Sequence, residues 1–233
     1  MKIISLVKNG DMASLSLSGC PMKCGYCAHV RQDRKDMTLE KVIADLSSPI
    51  LKRVYVGGME PAIQRKEVRP LLQALKSRGL DVALKTSGYD PEFLEETLKN
   101  VDRYVFEIKA PLDDIEGWMS LGGHDREWTV RYLENLRKSL EVVHGRPVKI
   151  VTRAIPGHID AEKIDRIGIQ LQPYAREASL TQFLGNLMND VPYFGITEAS
   201  PSDAEMMALG IIMVKHFPMV RVSGSGFDTV VKH

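Results

Sequence analysis

The stretch Ala13–Cys27, ASLSLSGCPMKCGYC, joins a strand-like pattern to a cysteine cluster. From Ala13 to Ser18, apolar residues alternate with serines, and this period of two predicts a half-buried strand. Cys20, Cys24 and Cys27 follow at once, and they are all the cysteines of the chain. The sequence therefore predicts a short strand that leads directly into a cysteine-rich loop.

Beyond this stretch, strand patterns alternate with helical patterns. Five more strands are predicted, at 53–56, 81–85, 103–109, 147–155 and 178–183, and 219–223 is a possible final strand. Helical stripes such as Val68–Leu75, which Gly79 is expected to end, stand between the strands, and helix-start signals occur at Asp90-Pro91 and at Ser202. Six strand–helix units predict parallel strands joined by right-handed crossovers, in an open doubly wound sheet or a barrel.

The number of units favours a partial barrel. A complete eight-unit barrel takes about 250 residues, whereas this chain has 233. We predict an α/β fold in one domain, a partial (β/α)6 TIM-like barrel of parallel strands. Its core would span about residues 13–217, with a short C-terminal extension at 218–233 in which Gly224–Gly226 reads as a flexible tail. Functional groups collect at the carboxyl ends of strands in such folds, which places the cysteines on the functional face.

Composition and charge argue against several classes of protein. The net charge is +1, which gives no support for nucleic-acid binding by bulk charge. No apolar run approaches the roughly 20 residues of a transmembrane helix, and the N-terminal apolar run is too short for the core of a signal peptide. Three clustered cysteines cannot all pair, unlike those of a secreted disulfide scaffold. We expect a cytoplasmic protein that binds neither nucleic acid nor membranes.

The spacing C-x3-C-x2-C indicates a shared metal, because thiolates are soft ligands suited to zinc and iron–sulfur centres. A structural zinc site needs four ligands, and His29 is the candidate fourth, so a closed zinc site is one alternative. A [4Fe–4S] cluster normally takes four cysteines. With three, one iron stays open to a non-protein ligand, and the site would serve chemistry rather than folding.

The cysteine spacing, with Tyr26 directly before the last cysteine, resembles the signature of the radical S-adenosylmethionine (SAM) enzymes. The resemblance covers essentially the whole chain, because the core of that family is a partial (β/α)6 barrel with this loop after the first strand. It implies that Cys20, Cys24 and Cys27 hold one [4Fe–4S] cluster whose open iron binds SAM. In that family the reduced cluster cleaves SAM to methionine and a 5′-deoxyadenosyl radical, which abstracts hydrogen from the substrate.

Two following strand ends resemble SAM-binding motifs of this family. Gly57-Gly58-Met59-Glu60 resembles its Gly-Gly-Glu-Pro motif, which contacts the SAM amino group, except that Met59 intervenes. Backbone must approach the ligand closely there, which favours glycine; a generic strand-to-helix turn is the alternative. Thr86-Ser87 resembles the start of a Thr-Asn-Gly turn in the activating enzymes of glycyl-radical proteins. The resemblance implies that these residues, together with Tyr26, bind SAM.

Three later strand ends extend the resemblance. Glu107 and Lys109 lie in a stretch similar to the Asp-Ile-Lys-Ala-Pro motif of the same subgroup, on one face of a strand, and Lys109 would bind the SAM carboxylate. A structural ion pair is the alternative, because charges inside cores must be paired. Arg153 is expected to replace an arginine that the subgroup carries two residues earlier, unless it is a surface residue. Gln182 or Thr181 is expected on the adenosine side.

The overall pattern is most similar to the activating proteins of anaerobic ribonucleoside-triphosphate reductase, and next to the pyruvate formate-lyase activating enzymes. Such proteins abstract hydrogen from a backbone glycine of a partner glycyl-radical enzyme and take electrons from a donor such as flavodoxin or ferredoxin. The chain has no further cysteine motif, so a single cluster is expected. Two alternatives are a radical SAM enzyme for a small metabolite, resembling the 7-carboxy-7-deazaguanine synthases, and a non-catalytic zinc or iron–sulfur binding module.

Overall fold

The computed structural model describes residues 1–27, 33–184 and 199–232; His29, the candidate zinc ligand, lies outside these residues. The strands are β1 (Lys2–Asn9), β2 (Met12–Leu17), β3 (Lys35–Asp36), β4 (Arg53–Gly58), β5 (Asp81–Thr86), β6 (Arg103–Glu107), β7 (Val148–Ala154), β8 (Glu177–Gln182), β9 (Met219–Ser223) and β10 (Asp228–Lys232). The α-helices are α1 (Leu39–Asp45), α2 (Arg65–Ser77), α3 (Pro91–Thr97), α4 (Ile115–Gly122), α5 (Arg126–Val142), α6 (Ala161–Leu171) and α7 (Asp203–Met213). A short 3₁₀ helix, Pro61–Gln64, follows β4.

The strands of this part of the chain form one sheet in the order β10-β9-β8-β7-β6-β5-β4-β2-β1-β3. Parallel pairing joins β2 to β4, β4 to β5, β7 to β8 and β8 to β9. Between β6 and β7, the N–H groups of Tyr104 and Ile108 donate to the carbonyls of Pro147 and Val151, an equal advance along both strands that marks a parallel pair. The sheet is not closed, since β10 and β3 are its edges. The predicted α/β fold of parallel strand–helix units is confirmed.

The structure adds strands at both ends of the predicted series. β1 pairs antiparallel with β2, so residues before the predicted core also belong to the sheet. The possible final strand at 219–223 is confirmed as β9, which pairs parallel with β8. The added strand at this end is β10, which turns back antiparallel on β9. The prediction of a flexible tail at Gly224–Gly226 is wrong, because this segment is the turn of the β9–β10 hairpin. Its Gly224 N–H donates to the Phe227 carbonyl at 3.0 Å.

The chain divides into two compact units. The first contains the described residues of 1–21, 28–105 and 135–147, and the second contains those of 22–27, 106–134 and 148–233. In the first unit, α2 buries the predicted stripe of Val68, Leu71, Leu72 and Leu75. The helix is followed by Gly79 with φ +75°, the left-handed conformation that the sequence predicted for a helix end. Hydrophobic periodicity therefore located this helix correctly.

The second unit contains α4, a helix that the sequence did not predict. Asp114 begins it, accepting a hydrogen bond from the Gly117 N–H at 2.9 Å, and Gly123 ends it with φ +69°. Trp118 anchors the helix: its ring is 1% exposed and lies 5.3 Å, centroid to centroid, from that of Tyr132 on α5. None of the helices within 1–27, 33–184 and 199–232 combines the length and apolar character needed to cross a lipid bilayer.

Gly58, the last residue of β4, approaches the backbone of β2 too closely for any other residue. Its φ is +93°, and a Cβ atom there would lie 2.5 Å from the Leu17 nitrogen. Gly79 also has a left-handed backbone, with φ +75°, but nothing lies within 4 Å of a Cβ atom added there. Alanine substitutions at Gly58 and Gly79 therefore separate two losses of stability, one from the left-handed backbone and one from the close approach to β2.

We predict that Gly58→Ala destabilises the protein more than Gly79→Ala. The left-handed backbone should cost each alanine about 1–2 kcal/mol of unfolding free energy. The overlap with β2 should cost Gly58→Ala about 1–3 kcal/mol more. Urea unfolding followed by circular dichroism measures both variants against the parent. Equal losses in the two variants would contradict the close approach.

Candidate active site

The cysteine loop begins in the first unit, where the backbone after β4 holds the residue before Cys20. The Gly19 carbonyl accepts a hydrogen bond from the Glu60 N–H at 2.9 Å, and the Gly19 N–H donates to Met59 Sδ at 3.2 Å. The Met59 N–H donates to the Leu17 carbonyl at 3.0 Å. Met59, the residue by which this chain departs from the family motif, therefore contacts the first turn of the cysteine loop.

Glu60 is a fully buried carboxylate that fastens the end of β4 to the end of β5. Its Oε1 accepts from the Ala62 N–H at 3.1 Å, and its Oε2 accepts from the Ser87 N–H at 2.7 Å and the Ser87 hydroxyl at 2.6 Å. The Thr86 hydroxyl donates to Oε1 at 3.1 Å. Burial raises the pKa of Glu60, and the hydrogen bonds from Ser87 oppose this rise. Three residues predicted from separate motifs thus form one network.

Packing inside the first unit accounts for the glycines of the predicted SAM motif. A Cβ atom on Gly57 would lie 2.9 Å from a ring carbon of Tyr55 and 3.0 Å from the Lys85 Cβ. Gly58 has the left-handed φ and the close approach to Leu17 described above. Both positions therefore need glycine for the fold itself, and a role for these glycines in binding SAM stays a prediction.

Cys24, Tyr26 and Cys27 belong to the second unit, where the Cys27 N–H donates to the Cys24 carbonyl at 3.1 Å. All three cysteines of the chain are half-buried thiols outside any disulfide. The donor set fits a soft metal centre, because three unbridged thiols stand on one short loop. In residues 1–27, 33–184 and 199–232, no three His, Cys, Asp or Glu side chains are grouped as a ready-made metal site. Metal ligation by the three cysteines thus stays a prediction.

A buried cation lies beside the second part of the cysteine loop. Lys109 is 7% exposed, and its Nζ lies 3.8 Å from Glu107 Oε1. The two side chains meet as predicted, but the predicted strand 103–109 is too long, because β6 ends at Glu107 and Lys109 lies just after it. Burial alone would lower the pKa of Lys109, but the carboxylate of Glu107 and the phenol of Tyr26 raise it well above its ordinary value. The side chain therefore stays a cation.

The same cation acts on the acidic groups of the loop. Burial raises the pKa of the Cys24 thiol, and the Lys109 ammonium opposes this effect. Burial also raises the pKa of Tyr26 well above its ordinary value, again opposed first by Lys109. An anion that binds here, whether thiolate or carboxylate, would be stabilised by Lys109.

The two remaining predicted residues lie on β7 and at the end of β8. Arg153 is half-buried on β7, paired in register with Thr181 of β8, and its charge lowers the pKa of Tyr26 slightly against the effect of burial. Gln182 is 8% exposed, and its amide donates to the Pro201 carbonyl at 2.6 Å and accepts from the Ser225 N–H at 2.7 Å. Gln182 thus joins the approach to α7 to the β9–β10 turn; its placement beside adenosine stays a prediction.

Sequence reasoning missed two features next to the cysteine loop. Tyr132 on α5 is 2% exposed and interacts electrostatically with Lys109, and the sequence patterns did not single it out. The Gly122 carbonyl accepts a hydrogen bond from the Lys23 N–H at 2.9 Å. The only sequence signal for this second contact was the Gly122-Gly123 pair itself.

Comparison with known proteins identifies the family. The profile described as the radical SAM superfamily matches residues 15–167, which include the cysteine loop and the ends of β4, β5 and β6. The chain belongs to the radical SAM superfamily. This membership supports the prediction that the protein is an enzyme, and it implies a [4Fe–4S] cluster and SAM as its cofactors.

Curated relatives extend the comparison. The chain is 26% identical over 163 residues to a provisionally named glycyl-radical enzyme activating enzyme of Methanocaldococcus jannaschii, covering 66% of each chain. It is 29% identical over 106 residues to the pyruvate formate-lyase-activating enzyme of Clostridium pasteurianum, covering 41% of this chain and 44% of the relative. A 7-carboxy-7-deazaguanine synthase of Methanospirillum hungatei is 33% identical over 79 residues, covering 33% of this chain and 34% of the synthase. The chain thus spans about two thirds of the first relative and less than half of the others.

Solved structures share the fold. A radical SAM methyltransferase from Sphaerobacter thermophilus superposes with a TM-score of 0.67 at 16% identity, covering 94% of this chain and 68% of its own. TYW1 with a lysine-pyruvate adduct bound gives a TM-score of 0.63 at 13% identity, covering 91% and 76%. At these identities the likeness concerns the fold alone.

We predict that Glu60→Gln destabilises the first unit at neutral pH by about 1–3 kcal/mol of unfolding free energy. Each carboxylate oxygen accepts a backbone N–H, and a glutamine would set its NH₂ group against one of these donors. Because the pKa of Glu60 is raised above its ordinary value of 4.5, the parent should also lose stability as pH rises through and above that value. The glutamine variant should lack this pH-dependent loss of stability, because its side chain does not ionise. Chemical unfolding at several values between pH 5 and 8 measures the difference. An unchanged stability at pH 7 would contradict the network.

Proposed function

We propose that this chain is a radical SAM enzyme in which Cys20, Cys24 and Cys27 hold one [4Fe–4S] cluster. When bound, the reduced cluster would supply the electron that cleaves SAM to methionine and a 5′-deoxyadenosyl radical. The observation that carries the proposal is the buried cation Lys109 beside Cys24, because a buried ammonium attracts an anion that binds next to it. Glu107 is its partner within the chain, and the carboxylate of SAM would be a second partner, next to the expected metal ligand.

The residues of the second unit would bind and orient SAM. Lys109 would bind its carboxylate, and Glu107 would hold the ammonium group of Lys109 in place from 3.8 Å. Tyr26, buried beside them, would keep water from this charged pair and so strengthen the attraction. Arg153 is the candidate second cation on β7.

The ends of β4 and β5 have a proposed role in SAM binding that comes from the family motif. Glu60, Thr86 and Ser87 fix the ends of β4 and β5 through buried hydrogen bonds, so these strand ends form a rigid edge. Gly57 and Gly58 carry no side chains that would keep a ligand from their backbone. The carboxylate of Glu60 would act by positioning this edge, because its two oxygens already accept hydrogen bonds within the unit.

The proposed substrate is a backbone glycine of a partner glycyl-radical protein. The support is the similarity to the activating enzymes of Methanocaldococcus jannaschii and Clostridium pasteurianum. A low-potential electron donor such as flavodoxin or ferredoxin would reduce the cluster. A small-metabolite substrate is the second candidate, supported by the 33% identity to a 7-carboxy-7-deazaguanine synthase over a third of the chain.

We predict that Lys109→Met raises the KM for SAM at least tenfold in the reconstituted enzyme, because the loss of one charge-assisted contact costs about 1.5–3 kcal/mol. Lys109→Arg should recover part of this loss by keeping the charge. Formation of 5′-deoxyadenosine after anaerobic reconstitution with iron and sulfide measures the effect. Cys24→Ala should abolish the formation of 5′-deoxyadenosine.

The matched control is Lys76→Met, which removes a lysine paired with Asp102 in the first unit. It should leave the KM for SAM unchanged. If Lys109→Met binds SAM as tightly as the parent, or if the parent never cleaves SAM, the proposed function is wrong.

A second experiment separates the two substrate classes. Reconstituted enzyme with SAM and a reductant is incubated with a candidate glycyl-radical protein, and electron paramagnetic resonance is recorded. We expect a glycyl radical signal in the partner that disappears when the acceptor glycine is changed to alanine. Formation of 5′-deoxyadenosine that depends on a small metabolite, with no signal in any protein partner, would favour the second candidate.

A further inference from the structure

The cysteine loop rests on the C-terminal end of α4 in the second unit. The Lys23 N–H, directly before Cys24, donates to the Gly122 carbonyl at 2.9 Å. The next residue, Gly123, also lies against Lys23. A Cβ atom on Gly123 would lie 2.6 Å from the Lys23 carbonyl oxygen and 3.0 Å from the Lys23 Cβ. We call Gly122 and Gly123 the diglycine seat.

The two glycines of the seat differ in what surrounds them. A Cβ on Gly122 would meet the Met22 Cε at 2.9 Å, which is the end of a flexible side chain that can turn aside. A Cβ on Gly123 would meet loop backbone, and φ at this residue is +69°. Of the two glycines, Gly123 is the one at which a side chain is opposed twice, by the left-handed backbone and by the lack of space beside Lys23.

The seat is held by a rigid support. α4 is capped by Asp114 at its start, and at its end the Gly123 N–H donates to the Met119 carbonyl at 2.9 Å. Trp118 buries the helix, and its Nε1 donates to the Pro111 carbonyl at 2.9 Å. The position of Gly123 is thus fixed by the helix, so the loop must adapt to it.

The same stretch of chain also delivers Lys109. From Glu107 at the end of β6, the chain passes Lys109 and Pro111 and then enters α4 within a few residues. One continuous segment therefore carries the buried cation beside Cys24 and the seat under Lys23. This segment therefore contacts the residue before Cys24 and also contributes to the charge environment of Cys24.

We propose that Gly123 is a positioning residue for the metal-binding cysteines, acting through Lys23 on the backbone of Cys24. This inference rests on the part of the proposed function that assigns metal ligation to the cysteines. It does not require SAM cleavage. A purely structural role is the competing explanation: Gly123 would then serve only as the left-handed end of α4.

Two variants separate positioning from helix capping. Gly123→Asn tolerates the left-handed backbone, as asparagine often does at helix ends, but keeps the Cβ that meets the Lys23 carbonyl. Gly145→Ala is the matched control for backbone strain, since Gly145 has φ +80° and nothing within 4 Å of an added Cβ. Gly122→Ala is the control for the neighbouring position.

The test is a titration of reduced, metal-free protein with Co²⁺ alone, followed by the thiolate-to-cobalt charge-transfer absorption. We expect Gly123→Ala and Gly123→Asn to weaken Co²⁺ binding at least tenfold. Gly145→Ala and Gly122→Ala should bind Co²⁺ within about twofold of the parent, a difference of about 0.4 kcal/mol. Cys24→Ala should remove most of the charge-transfer band, which assigns the signal to the loop.

The outcome that overturns the inference is parent-like Co²⁺ binding by a folded Gly123→Asn, or an equal loss in Gly145→Ala. If both Gly123 variants fail to fold by circular dichroism, Lys23→Pro tests the contact from the loop side, because it removes the N–H that donates to Gly122 and leaves α4 intact. It should weaken Co²⁺ binding severalfold, and parent-like binding would count against the seat. A parent that binds Co²⁺ through its thiols but never cleaves SAM would refute the proposed function and leave this inference standing.

Discussion

The buried carboxylate of Glu60 is the constraint on which the first unit depends. A carboxylate without solvent contact must find donors, and Glu60 finds them in the backbone of Ala62 and in the backbone and hydroxyl of Ser87. Its own N–H donates to the Gly19 carbonyl, directly before the first cysteine. The end of β4, the end of β5 and the start of the cysteine loop are therefore positioned by one residue.

A second buried charge organises the other unit. Lys109 is kept charged by Glu107 and lies in the electrostatic field of the cysteine loop. Such a cation is costly to bury unless it is paired; Glu107 pairs with it, and an anion bound beside Cys24 would be a second partner. The diglycine seat fixes the loop backbone next to this cation. Charge and backbone geometry at Cys24 thus come from one segment of chain.

Much of the fold could be predicted because local patterns and tertiary packing agree. Alternation in β2 and the apolar stripe of α2 both match the faces that the structure buries. α4 could not be predicted, because its glycines are poor helix formers and the burial of Trp118 supplies what local preference lacks. β10 was missed for a similar reason. Its short sequence follows two glycines, which suggested a flexible tail, and only its pairing with β9 makes it a strand.

The site shows the same division. The cysteine spacing and the closeness of Glu107 to Lys109 could be read directly, since both depend on residues near one another in sequence, although β6 ends before Lys109. The partners of Glu60 and Gln182 could not, because each side chain bonds residues far away along the chain. Glu60 was assigned to SAM from its motif, which stays a prediction, whereas its bonds to Ala62 and Ser87 could be found only in the structure. A motif identifies which residues matter without identifying what they touch.

By itself, the sequence determined the family, the three candidate metal ligands and the alternation of parallel strands with helices from β2 to β8. These depend on residue type and spacing, which the chain carries locally. Tertiary structure alone decided that Glu60 ties two strand ends together, that Gly224–Gly226 is a hairpin turn, and that Gly122 and Gly123 support the cysteine loop. Each of these depends on contacts between residues distant in sequence or on space left by missing side chains. Such contacts exist only once the chain has folded and its buried polar groups must find partners.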